Sequence, residues 1–228
     1  MPSVIRGLLP LLVISAVILA VPPVMAAGGN EHSVGKSSAM TPADYTKLTS
    51  GALMNKAAAG DLQAQFELGS RYSNGRGIPR NDREAREWLR RAAGNGHREA
   101  QRLLALNLYR GDNVGLAQEE ALIWTRHLAE AGDLPGQVML AYMYGNGEGA
   151  ERNLVQSYVW YDIAVANARQ AAEAGDEAAQ STLDMAIEEQ GKTAALLMPE
   201  ELARAQDIAS NWWLNREAAT GAGRRTSR

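Results

Sequence analysis

Trp88, Trp124 and Trp160 stand 36 residues apart at each step, and the same step separates Gly60, Gly96 and Gly132, then Gly75, Gly111 and Gly147, then Leu68, Leu104 and Leu140. A fixed period of this length marks stacked copies of one supersecondary unit, each burying its apolar face only against its neighbours. The chain therefore reads as an all-α solenoid. Surfaces of that kind mostly hold other macromolecules.

Each copy reads as a pair of helices. In the first, Ala64, Leu68 and Tyr72 share one helical side, the segment Asn74-Gly75-Arg76-Gly77-Ile78 interrupts it, and Ala85, Trp88, Leu89, Ala92 and Ala93 make a second stripe. The second copy repeats this with Ala100, Leu104 and Leu108, then Ala121, Trp124 and Leu128; the third has Leu140 and Tyr144, then Ser157, Trp160, Tyr161 and Ala164. Gly69, Ala105 and Ala141 share one phase, small enough for paired helices to approach closely. The spacing predicts all three indoles buried at equivalent places.

Around these copies the chain divides further. Thr41-Pro42-Ala43-Asp44 is a helix start, and one capping helix is expected over 41–60, stopping at Gly60. Three repeats follow over 61–175. The last turn, Gly175-Asp176, lies 43 residues after Gly132-Asp133 rather than 36, which adds about two helical turns and predicts a long helix ending near Ala174. Capping helices are expected over 176–215, the last with Leu202, Ala205, Ile208, Ala209 and Trp212 on one face, giving about nine helices after Thr41.

The ends carry addressing information. Arg6, an apolar run from Gly7 to Val21, the breakers Pro22 and Pro23, and the small-residue site Val24-Met25-Ala26 read as a signal peptide over 1–26, cleaved after Ala26 or Ala27. The run is shorter than the about 20 residues of a spanning helix, an uncleaved anchor being the alternative. The expected location is the periplasm. Residues 27–40 read as a flexible linker, and 216–228 as a disordered basic tail. The chain has no cysteine, so packing alone must stabilise it.

Loss of Arg6 with the signal would move the net charge from -3 to -4, a small total that hides an asymmetry. Residues 71–110 hold ten arginines against four acids, a balance of +6, whereas 111–190 hold 14 acids against three arginines, a balance of -11. Such a dipolar chain can steer a charged partner or pair head to tail with a copy of itself. The alternative is a solvated arginine face laced with local pairs such as Glu87 to Arg91.

The string Ala-x-x-x-Leu-Gly-x-x-Tyr-x-x-Gly-x-Gly-Ile over Ala64 to Ile78, followed by Asp82, Ala85, Trp88 and Ala92-Ala93-Gly94, resembles the Sel-one-like repeats, relatives of tetratricopeptide repeats. The third copy fits well, and Pro199 to Trp212 is similar to the C-terminal cap of bacterial members. The second departs, with Leu108 for the Tyr, Asn113 for the second loop Gly and Thr125 after the Trp. The resemblance implies a right-handed αα superhelix with N- and C-terminal caps, acting as an adaptor or regulator. Exported bacterial members that it resembles are envelope scaffolds, sensor-kinase inhibitors and polysaccharide-export subunits.

A search for chemistry returns little. His32, His97 and His127 have no second histidine at metal-ligand spacing; the Gly-x-Gly loops lack the strand and the Lys-Ser/Thr of a phosphate cradle; Glu119-Glu120, Glu188-Glu189 and Glu200-Glu201 are adjacent in sequence and not across a cleft. The reading is of a non-enzyme without cofactor or metal. A binding stripe is easier to find. At about 100° per residue, Ala100, Leu104 and Leu108 share the packed side and Arg102, Leu106 and Tyr109 the opposite one. Their equivalents are Phe66, Ser70 and Ser73, and Val138, Tyr142 and Gly145. First helices of such repeats line the concave surface, so Phe66, Arg102, Leu106, Tyr109, Val138 and Tyr142 are the candidate partner-binding residues. The alternative is that they pack against the adjacent first helix. The expected partner is a protein of the cell envelope, not nucleic acid; binding of anionic polysaccharide through the arginine block ranks next, and an enzyme acting on the cell wall last.

Overall fold

The computed structural model describes residues 40–111 and 116–220, and all of their regular structure is helical. The signal peptide, almost all of the linker and most of the basic tail lie outside the described residues. Ten helices follow one another: α1 Pro42–Lys47, α2 Ser50–Ala58, α3 Leu62–Asn74, α4 Asp82–Gly94, α5 Arg98–Arg110, α6 Leu116–Glu130, α7 Leu134–Asn146, α8 Leu154–Glu173, α9 Glu177–Ala194 and α10 Pro199–Thr220. α3 pairs with α4 and α7 with α8, as the period demands.

The count is ten because the first capping helix is two. Leu48 and Thr49 are extended, with ψ of 145° and 153°, and Thr49 starts α2 afresh by accepting a hydrogen bond from the Ala52 N–H. The break is held from outside: the Arg71 guanidinium donates to the carbonyls of Tyr45 at 3.3 Å and Thr46 at 2.9 Å, at the end of α1. That demand arises from a residue some 25 positions on and is invisible to local patterning.

Helix starts follow side-chain chemistry. Asp61 accepts from the Ala64 N–H, and Asn81 and Asn153 do the same for the second helices of copies one and three. The first helices of those copies end on Gly75 and Gly147 in the left-handed region, at φ of 69° and 72°. Gly111, at the same phase, instead has φ of -66°.

Contacts divide the chain into two compact units, described over 40–124 and 125–220, with the boundary inside α6. In the first unit, Tyr45, Leu53, Ala57, Ala64 and Leu68 form a core against which Leu48, Tyr72, Ile78 and Trp88 pack. Leu89 is fully buried over Gly69, where an added Cβ would lie 2.7 Å from the leucine Cγ, so α3 and α4 touch through a missing side chain. In the second unit α7, α9 and α10 all pack on the long helix α8. Its core includes Leu140, Met143, Ile163, Ala164, Ala168, Ala186 and Ala205.

The indoles differ. Trp160 is buried because α10 lays Trp212 edge-on against it, with ring centroids 6.1 Å apart. Trp88 and Trp124 are half-buried: Trp88 packs its inner side on the first core, and the Arg91 guanidinium sits 4.5 Å from its ring centroid. A second helix shields its own indole on one side only; closure needs a covering element.

Candidate interaction surface

In the first unit the first helices α3 and α5 lie in contact, bringing Phe66 and Arg102 to equivalent positions on neighbouring elements. Phe66 stacks on His97, with centroids 4.8 Å apart and planes 22° from parallel, and remains half-buried, as do Arg102 and Tyr109. Asn107 donates to the Ser73 hydroxyl at 2.8 Å, and that hydroxyl donates to the Gly69 carbonyl, so polar groups of the two helices are knitted together beside the stripe. Leu106 is buried at 3 % exposure, and a partner could reach it only by displacing its neighbours. In the second unit Val138 is likewise buried at 1 %, while Tyr142, one turn further along α7, is half-buried. The six candidates thus fall into a half-exposed set (Phe66, Arg102, Tyr109, Tyr142) and a packed pair. A helical wheel cannot separate these, because exposure depends on how neighbouring helices lean.

The second helices present charge, and much of it is spoken for. Arg90 forms a two-pronged bond with Glu120 at 2.7 and 2.6 Å, joining α4 to α6, and also meets Glu87 at 3.3 Å. Arg80 pairs with Asp82, while Glu87 pairs with Arg90 rather than with Arg91, whose guanidinium covers Trp88. The Arg90 guanidinium holds the Glu120 carboxyl below the usual carboxylate range. Deeper in, Glu67 accepts from Arg71 at 3.0 Å with both side chains almost wholly buried, and Arg76 closes on the same carboxylate.

The acids in adjacent pairs serve the same ends. Glu188 and Glu189 both bind Lys192 at 2.7 Å, and Glu201 accepts the Met198 N–H at the start of α10. Among the described residues no group of three or more His, Asp or Glu side chains is placed to hold a metal ion. His97 caps α5, His127 lies exposed on α6, and His32 is outside the described residues.

One repeating device escaped the sequence reading. Gln65, Gln101 and Gln137 each donate a side-chain N–H to the carbonyl eight residues earlier, of Ala57, Ala93 and Ala129, at 3.1, 3.1 and 3.2 Å. Each ties a first helix to the end of the preceding helix, adding a second hydrogen bond to a carbonyl that already accepts the N–H of the turn glycine, Gly60, Gly96 or Gly132. The signal was present as another step of 36, but on a polar residue, where apolar periodicity does not look.

Paired helices at a fixed step, joined by the same glutamine and by bonds between successive copies, define a helical-repeat protein of the protein-interaction type. The Sel1 repeat sequence model matches residues 62–97, 98–133 and 134–176, about half of the chain, the third match taking in the lengthened α8. This chain belongs to the Sel1 repeat family, whose members are generally non-catalytic scaffolds that mediate protein–protein interactions. Among solved structures it is similar to a Sel1 repeat protein from Oxalobacter formigenes, with 36 % identity over 59 % of this chain and 96 % of that one and a TM-score of 0.44. It is also similar to c5321, a protective antigen of uropathogenic Escherichia coli strains with an SLR fold, at 26 % identity and a TM-score of 0.49, over 77 % of this chain and 41 % of that protein. No described helix is long and apolar enough to cross a membrane.

Proposed function

We propose that this chain is an exported helical-repeat adaptor that holds a protein partner of the cell envelope on the half-exposed stripe of its first helices, through Phe66, Arg102 and Tyr109 in one unit and Tyr142 in the other. The observation that carries this reading is that the first helices keep large amphipathic side chains, Phe66, Arg102, Tyr109 and Tyr142, half-exposed on one side, while charges of the arginine block are engaged in bonds such as Arg90 to Glu120. Large amphipathic groups at a surface are the residues in which binding energy concentrates. The same engagement weighs against polysaccharide capture by the arginine block. Export rests on the Val24-Met25-Ala26 signal, and mass spectrometry of the mature chain should give an N-terminus at Ala27.

The test is capture of the partner from envelope extract. Changing Tyr109 and Tyr142 together to Ser should weaken capture about tenfold or more, roughly 1.4 kcal/mol per decade, with helicity and melting temperature nearly unchanged. Changing the exposed Arg83 and Arg98 to Ser should matter only at low salt. If the tyrosine pair binds normally and the arginine pair abolishes capture in high salt, the exposed surface at Arg83 and Arg98 is the site.

A further inference from the structure

The turns before α3, α5, α7 and α9 each hold a glycine at positive φ, and three then carry an aspartate: Asp61, Asp133 and Asp176. At the fourth stands His97. Asp61 and Asp176 accept from the Ala64 and Ala178 N–H groups, each at 3.0 Å. His97 makes the equivalent bond with Nδ1, 3.3 Å from the Ala100 nitrogen, while its Nε2 lies 3.1 Å from Oε1 of Gln63 on α3 and its ring stacks on Phe66 of the same helix. One imidazole therefore starts α5 and fastens it to α3.

Only the neutral ring can do both. With Nδ1 bare it accepts the helix amide, and with Nε2 protonated it donates to the glutamine oxygen; the imidazolium has two donors and no acceptor. A second proton must enter at Nδ1, where it would point at the Ala100 N–H. Glu99, whose carboxylate oxygen is 3.3 Å from Nδ1, then offers the charged ring another partner away from the helix start. From α3 the facing groups Gln63 and Phe66 carry no charge, and from α4 the Ala92 carbonyl accepts the His97 backbone N–H. Glu99 is thus the charge acting on the ring. Burial holds the imidazole below its ordinary 6.5, with Glu99 opposing.

We infer that His97 makes the joint between the first and second copies acid-sensitive: protonation strips the cap from α5 while the ring keeps its Nε2 bond to Gln63, and the aspartate-capped turns stay closed. The direction follows from linkage. The neutral form is the folded one, so the unfolded chain takes the proton first; this contribution is complete above 6.5 and declines as the pH drops below it. The device acts within one unit, and its test on the free chain does not depend on what the stripe binds.

The experiment is residue-resolved amide exchange, corrected for intrinsic rate, on the full chain at about pH 7.5 and about pH 5.5, with His97→Asp as the comparison. Aspartate already caps α3 and α9 through the same kind of bond, so the variant keeps a cap that stays ionised across this range. In the natural chain the Ala100 amide should lose about fivefold protection on acidification while the Ala64 amide does not, and in His97→Asp both should hold. An imidazole titration by NMR should place His97 below 6.5. Equal protection of Ala100 at both pH values, an equal loss in the variant, or a ring that titrates above 6.5 would each overturn the inference.

Discussion

Gly69→Ala is the smallest change that probes how the two helices of one copy are held together. The new Cβ would stand 2.7 Å from Leu89 Cγ, 2.9 Å from Cδ2 and 3.2 Å from the Leu89 backbone nitrogen. Leu89 is wholly buried, and its Cγ and backbone cannot swing aside, so α3 and α4 must part. Overpacking of this kind costs about 1–3 kcal/mol. Against it stands a gain of about 0.5–1 kcal/mol from replacing a mid-helix glycine. The net expectation is a loss of about 1–2 kcal/mol, read from urea unfolding followed by far-UV circular dichroism. Gly191→Ala supplies the control, since its Cβ would meet nothing within 4 Å in α9, and it should stabilise by about 0.5–1 kcal/mol. A double-mutant cycle isolates the contact. In a Leu89→Ala background the clash is gone, and Gly69→Ala should become neutral or stabilising. The reasoning fails if Gly69→Ala stabilises the natural chain as Gly191→Ala does, or if its cost is unchanged without the leucine.

Three further outcomes follow from the packing and the charges. Glu67→Gln should cost about 3 kcal/mol or more by leaving the buried Arg71 short of its counter-charge. Copy three has Met139 and Met143 at those phases, both buried, so Glu67→Met with Arg71→Met should regain much of the loss in the same urea assay. Trp160→Ala should cost about 3–5 kcal/mol and Trp88→Ala clearly less, because only Trp160 has a covering indole; an equal cost would contradict the role given to α10. The Arg90–Glu120 bond, about a third exposed, should contribute about 0.2–1 kcal/mol. Since the Glu120 carboxyl is held below its ordinary 4.5, that contribution is present above 4.5 and lost as the pH falls, and Glu120→Gln should flatten the acid limb of the stability profile.

How much was legible in the sequence depended on whether the determining contact repeats. Apolar phases read directly: Ala64, Leu68, Leu104 and Leu140 are all fully buried, because every copy asks the same of them. The end of α8 was legible from the displaced Gly175-Asp176 turn. Features made once were not. The split between α1 and α2 depends on Arg71 reaching back across 25 residues, and the burial of Trp160 depends on Trp212, on a helix outside the repeat. At the candidate surface, periodicity placed Val138 and Tyr142 on one helix side but could not distinguish them, one turn apart, since tilt and neighbouring bulk decide which is covered.

The central claim is that the first-helix stripe is where a partner is held. Photo-activated crosslinking side chains placed one at a time at Tyr109 and Tyr142, and at the exposed Arg83 and Arg98 for comparison, test it in the cell that makes the protein. Both stripe positions are predicted to trap one and the same envelope protein, with neither arginine position trapping it. Crosslinks to that protein from Arg83 and Arg98 alone would contradict the account.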